Sequence, residues 1–164
     1  MMDNDDLAPD LDPDLDLVLT RDLNASADVL YQCWTDPAHL VHWFVPKPHR
    51  VTACTLDVRP GGACNTTFDV DGAVMHNNGV YLEVVPNRKL VFTDTYTAGW
   101  KPKADPFMTA IITFDDLGDG RTRYTATVRH RSAEAAKTHR DMGFFDGWGT
   151  VATQLEAYAQ GITP

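Results

Sequence analysis

The chain has 164 residues, 43% of them hydrophobic, and a formal net charge of −9. This length is typical of one globular domain whose core needs no metal or disulfide. Seven of the 23 acidic residues fall within the first 16 positions, and the other 16 are nearly balanced by 14 basic residues. No basic stripe is present to neutralise phosphates, so nucleic acid is not an expected partner.

The sequence also limits the compartment. It contains neither an apolar run of about 18 residues nor the basic and apolar regions of a signal peptide, so we expect no membrane insertion and a cytoplasmic location. Cys33, Cys54 and Cys64 are odd in number and lack CxxC spacing. That usage indicates buried thiols in a reducing compartment.

Residues 1–13 combine dense aspartate with proline and scattered leucine, without any period. Such a segment cannot bury enough apolar surface to offset the entropy of ordering it. We therefore predict a disordered acidic leader over residues 1–13 and a single domain over residues 14–164. An acidic patch that binds a basic partner is the alternative for the leader.

The first elements of the domain are a strand and two helices. Leu15, Leu17 and Leu19 alternate with other residues and predict a strand ending near Arg21. A helix capped by Ser26 should follow, with an apolar face that consists of Val29, Leu30, Cys33 and Trp34. Asp36-Pro37 then begins a short helix that extends to about Phe44.

From Arg50 to His130 the period changes to two, and turn signals separate six consecutive strands. These strands should form antiparallel hairpins. After Ser132 the apolar residues recur at helical spacing to Ile162, which predicts a long C-terminal helix. Its three glycines, Gly143, Gly147 and Gly149, indicate a close approach to the sheet or a kink. This order of elements predicts an α+β helix-grip fold, in which a curved antiparallel sheet wraps around the helix.

Strand alternation predicts which residues face the helix. The more apolar set comprises Cys54, Leu56, Val58, Cys64, Thr66, Phe68, Val70, Val80, Leu82, Val84, Leu90, Phe92, Met108, Ala110, Ile112, Phe114, Tyr124, Ala126 and Val128. The same parity brings five polar residues inward: His76, Asn78, Asp94, Tyr96 and His130. Several inward polar groups predict a wet pocket, because an unpaired buried polar group costs about 1–3 kcal/mol. The alternative is that a bulge shifts the parity and that these residues lie in water at the rim.

Several segments together resemble a known family. Trp34-Thr35-Asp36-Pro37, Arg59-Pro60-Gly61-Gly62 and the Gly79-x-Tyr-x-Glu-Val-x-Pro86 segment are similar to bacterial proteins related to the activator of the heat-shock-protein-90 ATPase. That group belongs to the START-like helix-grip superfamily, SRPBCC, which contains polyketide cyclases and lipid carriers. The resemblance extends from about Leu15 to Ile162 and implies a cavity between sheet and long helix for an apolar small molecule. It supports a chaperone partner less, because the eukaryotic activator has a separate chaperone-binding domain that this chain is too short to contain.

Standard catalytic motifs are absent: we find no GxSxG elbow, P-loop, GxGxxG or HExxH sequence. His39 and His42 have ligand-compatible spacing but no third ligand nearby, so we expect neither a metal site nor a cofactor. Leu40 and Phe44 should face the core, His39 should be solvated, and Trp43 should close the cavity mouth or pack on the long helix.

Three functions remain open, and a small-molecule binding protein is the leading one. The expected ligand site comprises Trp43, Phe68, His76, Asn78, Phe92, Asp94, Tyr96, Met108, Met142, Phe145 and Trp148. A cyclase-like or hydrolytic enzyme would use His76, Asp94 and Tyr96 for acid–base chemistry. A chaperone-related interaction protein would instead have a filled core and an exposed apolar patch. The sequence also leaves a homodimer open.

Overall fold

The computed structural model describes residues 10–162. It contains the following elements: β1 (Asp16–Leu23), α1 (Ala27–Thr35), α2 (Pro37–Leu40), β2 (Arg50–Leu56), β3 (Ala63–Val70), β4 (Ala73–Val85), β5 (Lys89–Thr93), β6 (Tyr96–Thr97), β7 (Lys101–Pro102), β8 (Thr109–Gly118), β9 (Arg121–Arg129), α3 (Ala133–Asp141) and α4 (Phe144–Ala159). The six predicted strands are β2, β3, β4, β5, β8 and β9, and the short β6–β7 hairpin is an addition between β5 and β8.

Seven strands form one antiparallel sheet in the order β1-β9-β8-β5-β4-β3-β2. Every neighbour except β1–β9 and β5–β8 follows directly in sequence, as hairpin connections require. Helix α4 packs on β1 and α1, and the core lies between the curved sheet and these helices. This is the helix-grip arrangement that the sequence predicted.

The first helices agree with the sequence prediction in detail. All four apolar residues predicted for the core face of α1 are buried. Ser26 is the N-cap residue of α1, although its side chain makes no capping hydrogen bond. Asp36 does cap α2, since its carboxylate accepts a hydrogen bond from the Ala38 N–H. Helix α2 ends at Leu40 in a series of turns, four residues earlier than predicted.

The predicted single C-terminal helix is divided into α3 and α4. Gly143 adopts a φ of 95° at the start of α4 and thereby breaks the helix, since only glycine adopts that backbone conformation without strain. Gly149 allows a close approach to the sheet, because a Cβ atom there would lie 3.3 Å from the Arg21 side chain of β1. Gly147 has open space around it.

A bulge in β4 corrects part of the predicted face assignment. The register of β4 against β5 shifts between Tyr81 and Glu83. Tyr81 therefore pairs with Phe92 and belongs to the core. Val80 pairs with Thr93 on the opposite face, where it is nevertheless buried, and Leu82 is exposed. Val84, beyond the bulge, lies inside as predicted. The bulge adds one residue to β4, so a strict period of two across it gives the wrong side.

The segment before β1 is attached to the sheet. The Arg129 guanidinium donates to the Asp10 carbonyl oxygen at 2.7 Å and to the buried Asp16 carboxylate at 2.8 Å. The Asp12 N–H donates to the same carboxylate at 2.8 Å. These bonds hold residues 10–13, and the rest of the predicted leader lies outside the described residues.

Candidate functional site

The concave face of the sheet has an aromatic floor. The Trp34 ring lies 5.1 Å from Trp43, 5.2 Å from Phe44 and 5.7 Å from Phe92, measured between ring centroids. Phe44 in turn lies 5.9 Å from Phe68 of β3. One apolar cluster thus joins the second half of α1, the residues that follow α2, and the strands β3 and β5.

This concave face is filled at one side and open at the other. Leu90, Ile112 and Leu155 are completely buried in the core. Towards β2, β3 and β4, the inward apolar residues pack against the core but keep part of their surface exposed; they include Phe44, Cys54, Cys64, Phe92, Met108 and Trp148. Phe68 is likewise half-buried. We refer to this partly exposed half as the open half of the concave face.

The two thiols and the phenol on this half are neutral. Burial raises the pKa of Cys54 to about 11 and that of Cys64 to about 12. Burial also raises the pKa of the Tyr81 phenol, next to Cys64. A thiol becomes nucleophilic only as the thiolate, so neither cysteine is activated for covalent catalysis at neutral pH.

Trp34 contributes an unpaired donor to the aromatic cluster. Its side chain is 3% exposed, and its Nε1–H has no hydrogen-bond partner among residues 10–162. Burial raises the pKa of the nearby Tyr124 phenol, and the Trp34 N–H lowers it by a smaller amount. A buried donor without a well-aligned acceptor costs about 1–3 kcal/mol.

Three apolar residues of the predicted ligand site lie elsewhere than expected. Trp43 is buried, and its indole N–H donates to the Cys33 carbonyl oxygen at 3.2 Å, so it is a core residue and does not line an entrance. Met142 and Phe145 are 69% and 45% exposed beside the Gly143 break. Because that break reorients the chain, the helical stripe of the sequence does not continue through them.

His76 and Asn78 lie on the outer face, which corrects their predicted inward placement. They pair with Thr67 and Asn65 of β3, on the side of the sheet opposite Phe68. Both are exposed, and His76 bonds to the Thr67 hydroxyl at 3.2 Å. The β4 bulge is the cause, since it exchanges the faces of all preceding residues in the strand.

Asp94 and Tyr96 shape the connection between β5 and β8. The Asp94 carboxylate accepts from the backbone N–H groups of Phe107 and Met108 at 2.9 and 3.1 Å and from Lys103 at 3.0 Å. Tyr96 packs edge-on against Trp100. No hydrogen bond or ion pair in the described structure joins His76, Asp94 and Tyr96, so the acid–base group suggested by the sequence is not formed.

His39 was predicted to be solvated, but it is half-buried. Its Nδ1 lies 2.7 Å from the Tyr158 hydroxyl of α4, and the His42 ring stacks on Tyr158 at a centroid distance of 5.3 Å. Within residues 10–162, no group of three or more potential ligand side chains is close enough to hold a metal ion. In the same part of the chain, no helix has both the length and the apolar character needed to span a bilayer.

Two polar features were not found from the sequence. The Gln154 side chain accepts from the Lys47 N–H at 2.9 Å and donates to the carbonyl oxygens of Trp43 and Val45 at 3.0 and 2.7 Å. His130 lies inside as predicted, but its 2.8 Å contact with His139 of α3 was not anticipated. Both contacts join residues distant in the chain or in separate elements, and a single sequence carries no signal for them.

The architecture and the partly open concave face define a helix-grip scaffold of the START-like, SRPBCC type, a fold that generally binds ligands. The chain belongs to the family described as activator of Hsp90 ATPase homolog 1-like proteins, whose model matches residues 24–160. No sequence among curated proteins matches the chain.

Solved structures agree with this assignment. A crystal structure of a protein from Nitrosomonas europaea is 36% identical in sequence, covers 92% of this chain and 97% of its own, and has a TM-score of 0.88. A Mycobacterium smegmatis protein is 27% identical, with coverages of 92% and 93% and a TM-score of 0.76. The AHSA1 protein from Silicibacter pomeroyi is 21% identical, with coverages of 87% and 95% and a TM-score of 0.65, which shows a common fold alone.

Proposed function

We propose that the protein binds a small, uncharged and mainly apolar ligand on the open half of its concave face. The observation that carries this proposal is the contrast between the two halves of that face. Residues beneath α4 are fully buried, whereas Phe68, Phe92, Met108 and Trp148 remain partly exposed although they face inward. A ligand packed on these side chains would remove their apolar surface from water, which is favourable by roughly 25 cal/mol per Å².

The polarity of the face restricts the ligand further. Within β2, β3, β4 and β5, the inward positions carry apolar residues together with the neutral polar side chains of Thr66, Asn77 and Tyr81. An anionic or cationic ligand would lose its hydration without gaining a partner of opposite charge. A ligand with one or two neutral polar groups fits better, because Thr66, Asn77 and Tyr81 can exchange neutral hydrogen bonds with it.

Titration with Nile red, an uncharged dye whose emission rises in apolar surroundings, tests this proposal. We expect saturable binding that changes tryptophan fluorescence, since Trp34 and Trp148 belong to the face. Phe68→Ala and Phe92→Ala should each weaken binding about tenfold, because burying one phenylalanine contributes roughly 1.5–3 kcal/mol.

The matched control is Val74→Ala. Val74 is exposed and pairs with Asp69 on the opposite face of the same β3–β4 ladder. It should leave dye binding unchanged, and urea unfolding of each variant separates a lost site from lost stability. Equal weakening by Val74→Ala, or unchanged binding in both phenylalanine variants, would contradict the proposal.

A chaperone contact is the second candidate, and one observation favours it. Met142 and Phe145 form an exposed apolar pair beside Gly143, and exposed apolar patches mark interaction surfaces. The family description also names an activator of an Hsp90 ATPase. Stimulation of a bacterial Hsp90-type ATPase by the wild-type chain, and its loss in Met142→Ser/Phe145→Ser, would support this role; no stimulation would remove it.

A further inference from the structure

The segment that contains α2 and the start of β2 has an unusual charge for this protein. Between Asp36 and Asp57 the chain has no acidic residue, although the whole protein carries a net charge of −9. The same segment contains five basic residues: His39, His42, Lys47, His49 and Arg50. The sequence thus places two cations, Lys47 and Arg50, together with three histidines in one short region of an acidic chain.

The structure folds this segment around a surface pocket. The pocket has a volume of about 540 Å³ and is lined by Val41, His42, Val45, Lys47, Pro48, His49 and Arg50. All seven residues belong to the turns between α2 and β2 or to the first residue of β2. Its volume falls in the range of about 300–1,000 Å³ that is typical of small-molecule sites.

The walls of this pocket are held by α4. Gln154 bonds to the backbone of Trp43, Val45 and Lys47, three residues in or next to the pocket. The His42 ring stacks on Tyr158, whose hydroxyl is fixed by His39 at 2.7 Å. The basic wall is therefore attached to a long helix, which lowers the entropic cost of ordering it around a ligand.

The positive charges of the pocket are only partly compensated. Arg50 lies 4.0 Å from the Asp69 carboxylate, and His49 lies 3.8 Å from Asp71. Both distances exceed those of a charge-assisted hydrogen bond, so most of the five guanidinium donors of Arg50 remain available. The Lys47 ammonium forms no hydrogen bond or ion pair with the residues that the structure describes.

We propose that this pocket binds a small organic anion, a carboxylate or phosphate monoester, that carries a compact apolar or aromatic group. Lys47 and Arg50 provide the charge for the anionic end, and Val41, Val45 and Pro48 provide an apolar wall. The site lies outside the concave face, and its ligand class differs from the uncharged ligand proposed for that face.

Titration of the isotope-labelled full chain, followed by backbone amide chemical shifts at low salt, tests this site. We expect benzoate and phenyl phosphate to cause saturable shifts centred on residues 41–50, and the better of the two identifies the anionic group. Neutral benzyl alcohol and inorganic phosphate should bind at least about fivefold more weakly, because the alcohol lacks the anionic group and phosphate lacks the apolar group.

Two double variants of equal charge complete the test. Lys47→Gln/Arg50→Gln should weaken binding of the better anion at least about fivefold. Lys137→Gln/Arg140→Gln removes two cations from α3, distant in sequence from the pocket, and should change the affinity less than twofold. An equal loss in both variants, shifts centred on Phe68 and Phe92, or benzyl alcohol binding as tightly as benzoate would overturn the proposal.

Discussion

The imidazoles of His130 and His139 form a hydrogen-bonded chain inside the protein. His130 Nδ1 lies 2.9 Å from the Leu15 carbonyl oxygen, which can only accept, so this nitrogen carries the hydrogen. His130 Nε2 and His139 Nδ1 lie 2.8 Å apart, so one of these two nitrogens donates a hydrogen bond to the other. The pair is surrounded by the rings of Phe107 and Phe144. Burial and the neighbouring His130 lower the pKa of His139 to about 4.

This pair should make stability depend on pH. His139 is neutral in the folded protein down to about pH 4, whereas an unfolded histidine gains a proton near pH 6.5. Between these values the unfolded state binds more protons, so the free energy of unfolding falls as the pH falls. We expect a loss of up to about 3 kcal/mol between pH 6.5 and pH 4, measured by urea unfolding.

Two variants isolate the contribution of the pair. His139→Gln keeps an N–H that can donate to His130, but glutamine does not titrate. The slope of the unfolding free energy against pH should therefore become smaller above pH 4. His76→Gln removes an exposed histidine on the outer face and should leave the slope unchanged. Arginine partners lower the pKa values of Asp22 and Asp105. These two carboxyls therefore change the free energy of unfolding with pH only below about pH 4. A slope that persists in His139→Gln would rule out His139 as its source.

At the scale of elements, three glycines have different roles: two lie in the C-terminal helical region and one in β4. Gly143 has a positive φ at the break between α3 and α4. Gly147 lies within α4, where a Cβ atom would meet nothing within 4 Å. Gly79 lies in β4, and a Cβ atom there would lie 2.1 Å from the Thr93 carbonyl oxygen. Only the first and third positions therefore require glycine.

Alanine substitutions should separate these roles. Gly147→Ala should stabilise the protein by about 0.5–1 kcal/mol, since alanine favours the helix. Gly143→Ala should destabilise it by about 1–3 kcal/mol through backbone strain. Gly79→Ala should destabilise it at least as much, because backbone must move to admit the methyl group. Thermal unfolding gives the order, and a stabilising Gly143→Ala would mean that the break tolerates any residue.

The same elements show what the sequence could and could not predict. Alternation placed Leu90, Phe92 and Ile112 inside correctly, because β5 and β8 pair without a shift. It failed at His76 and Asn78, because the β4 bulge leaves no mark that one sequence reveals. The helical spacing of apolar residues likewise predicted one helix through Met142 and Phe145, but the structure has two helices that are separated at Gly143. The glycine at this position was already a reason to expect a break.

At the scale of the whole molecule, the helices cover the sheet unevenly. Helix α4 packs on β1 and α1 and extends from the Gly143 break to Ala159. Buried inward residues are most numerous on β1, β9 and β8. The strands β5, β2 and β3 carry one each, Leu90, Val51 and Thr66, and residues 73–78 of β4 carry none. Helix α4 is thus offset towards β1 in its contacts, and the inward residues towards β2 and β3 keep part of their surface exposed.

This offset should produce a gradient of local stability. Amide hydrogens of β8, β9 and β5 should exchange most slowly, since their opening requires disruption of the core. Those of β2, β3 and the first half of β4 should exchange faster, because few buried apolar contacts hold them and residues such as Met75 are exposed. Hydrogen–deuterium exchange followed by mass spectrometry measures both sets in one experiment. Addition of Nile red should slow exchange in β3 and β4 selectively if the dye occupies the open half of the concave face. Uniform protection across the seven strands without the dye would show that the open half is as stable as the core, and the preformed face would then be rigid.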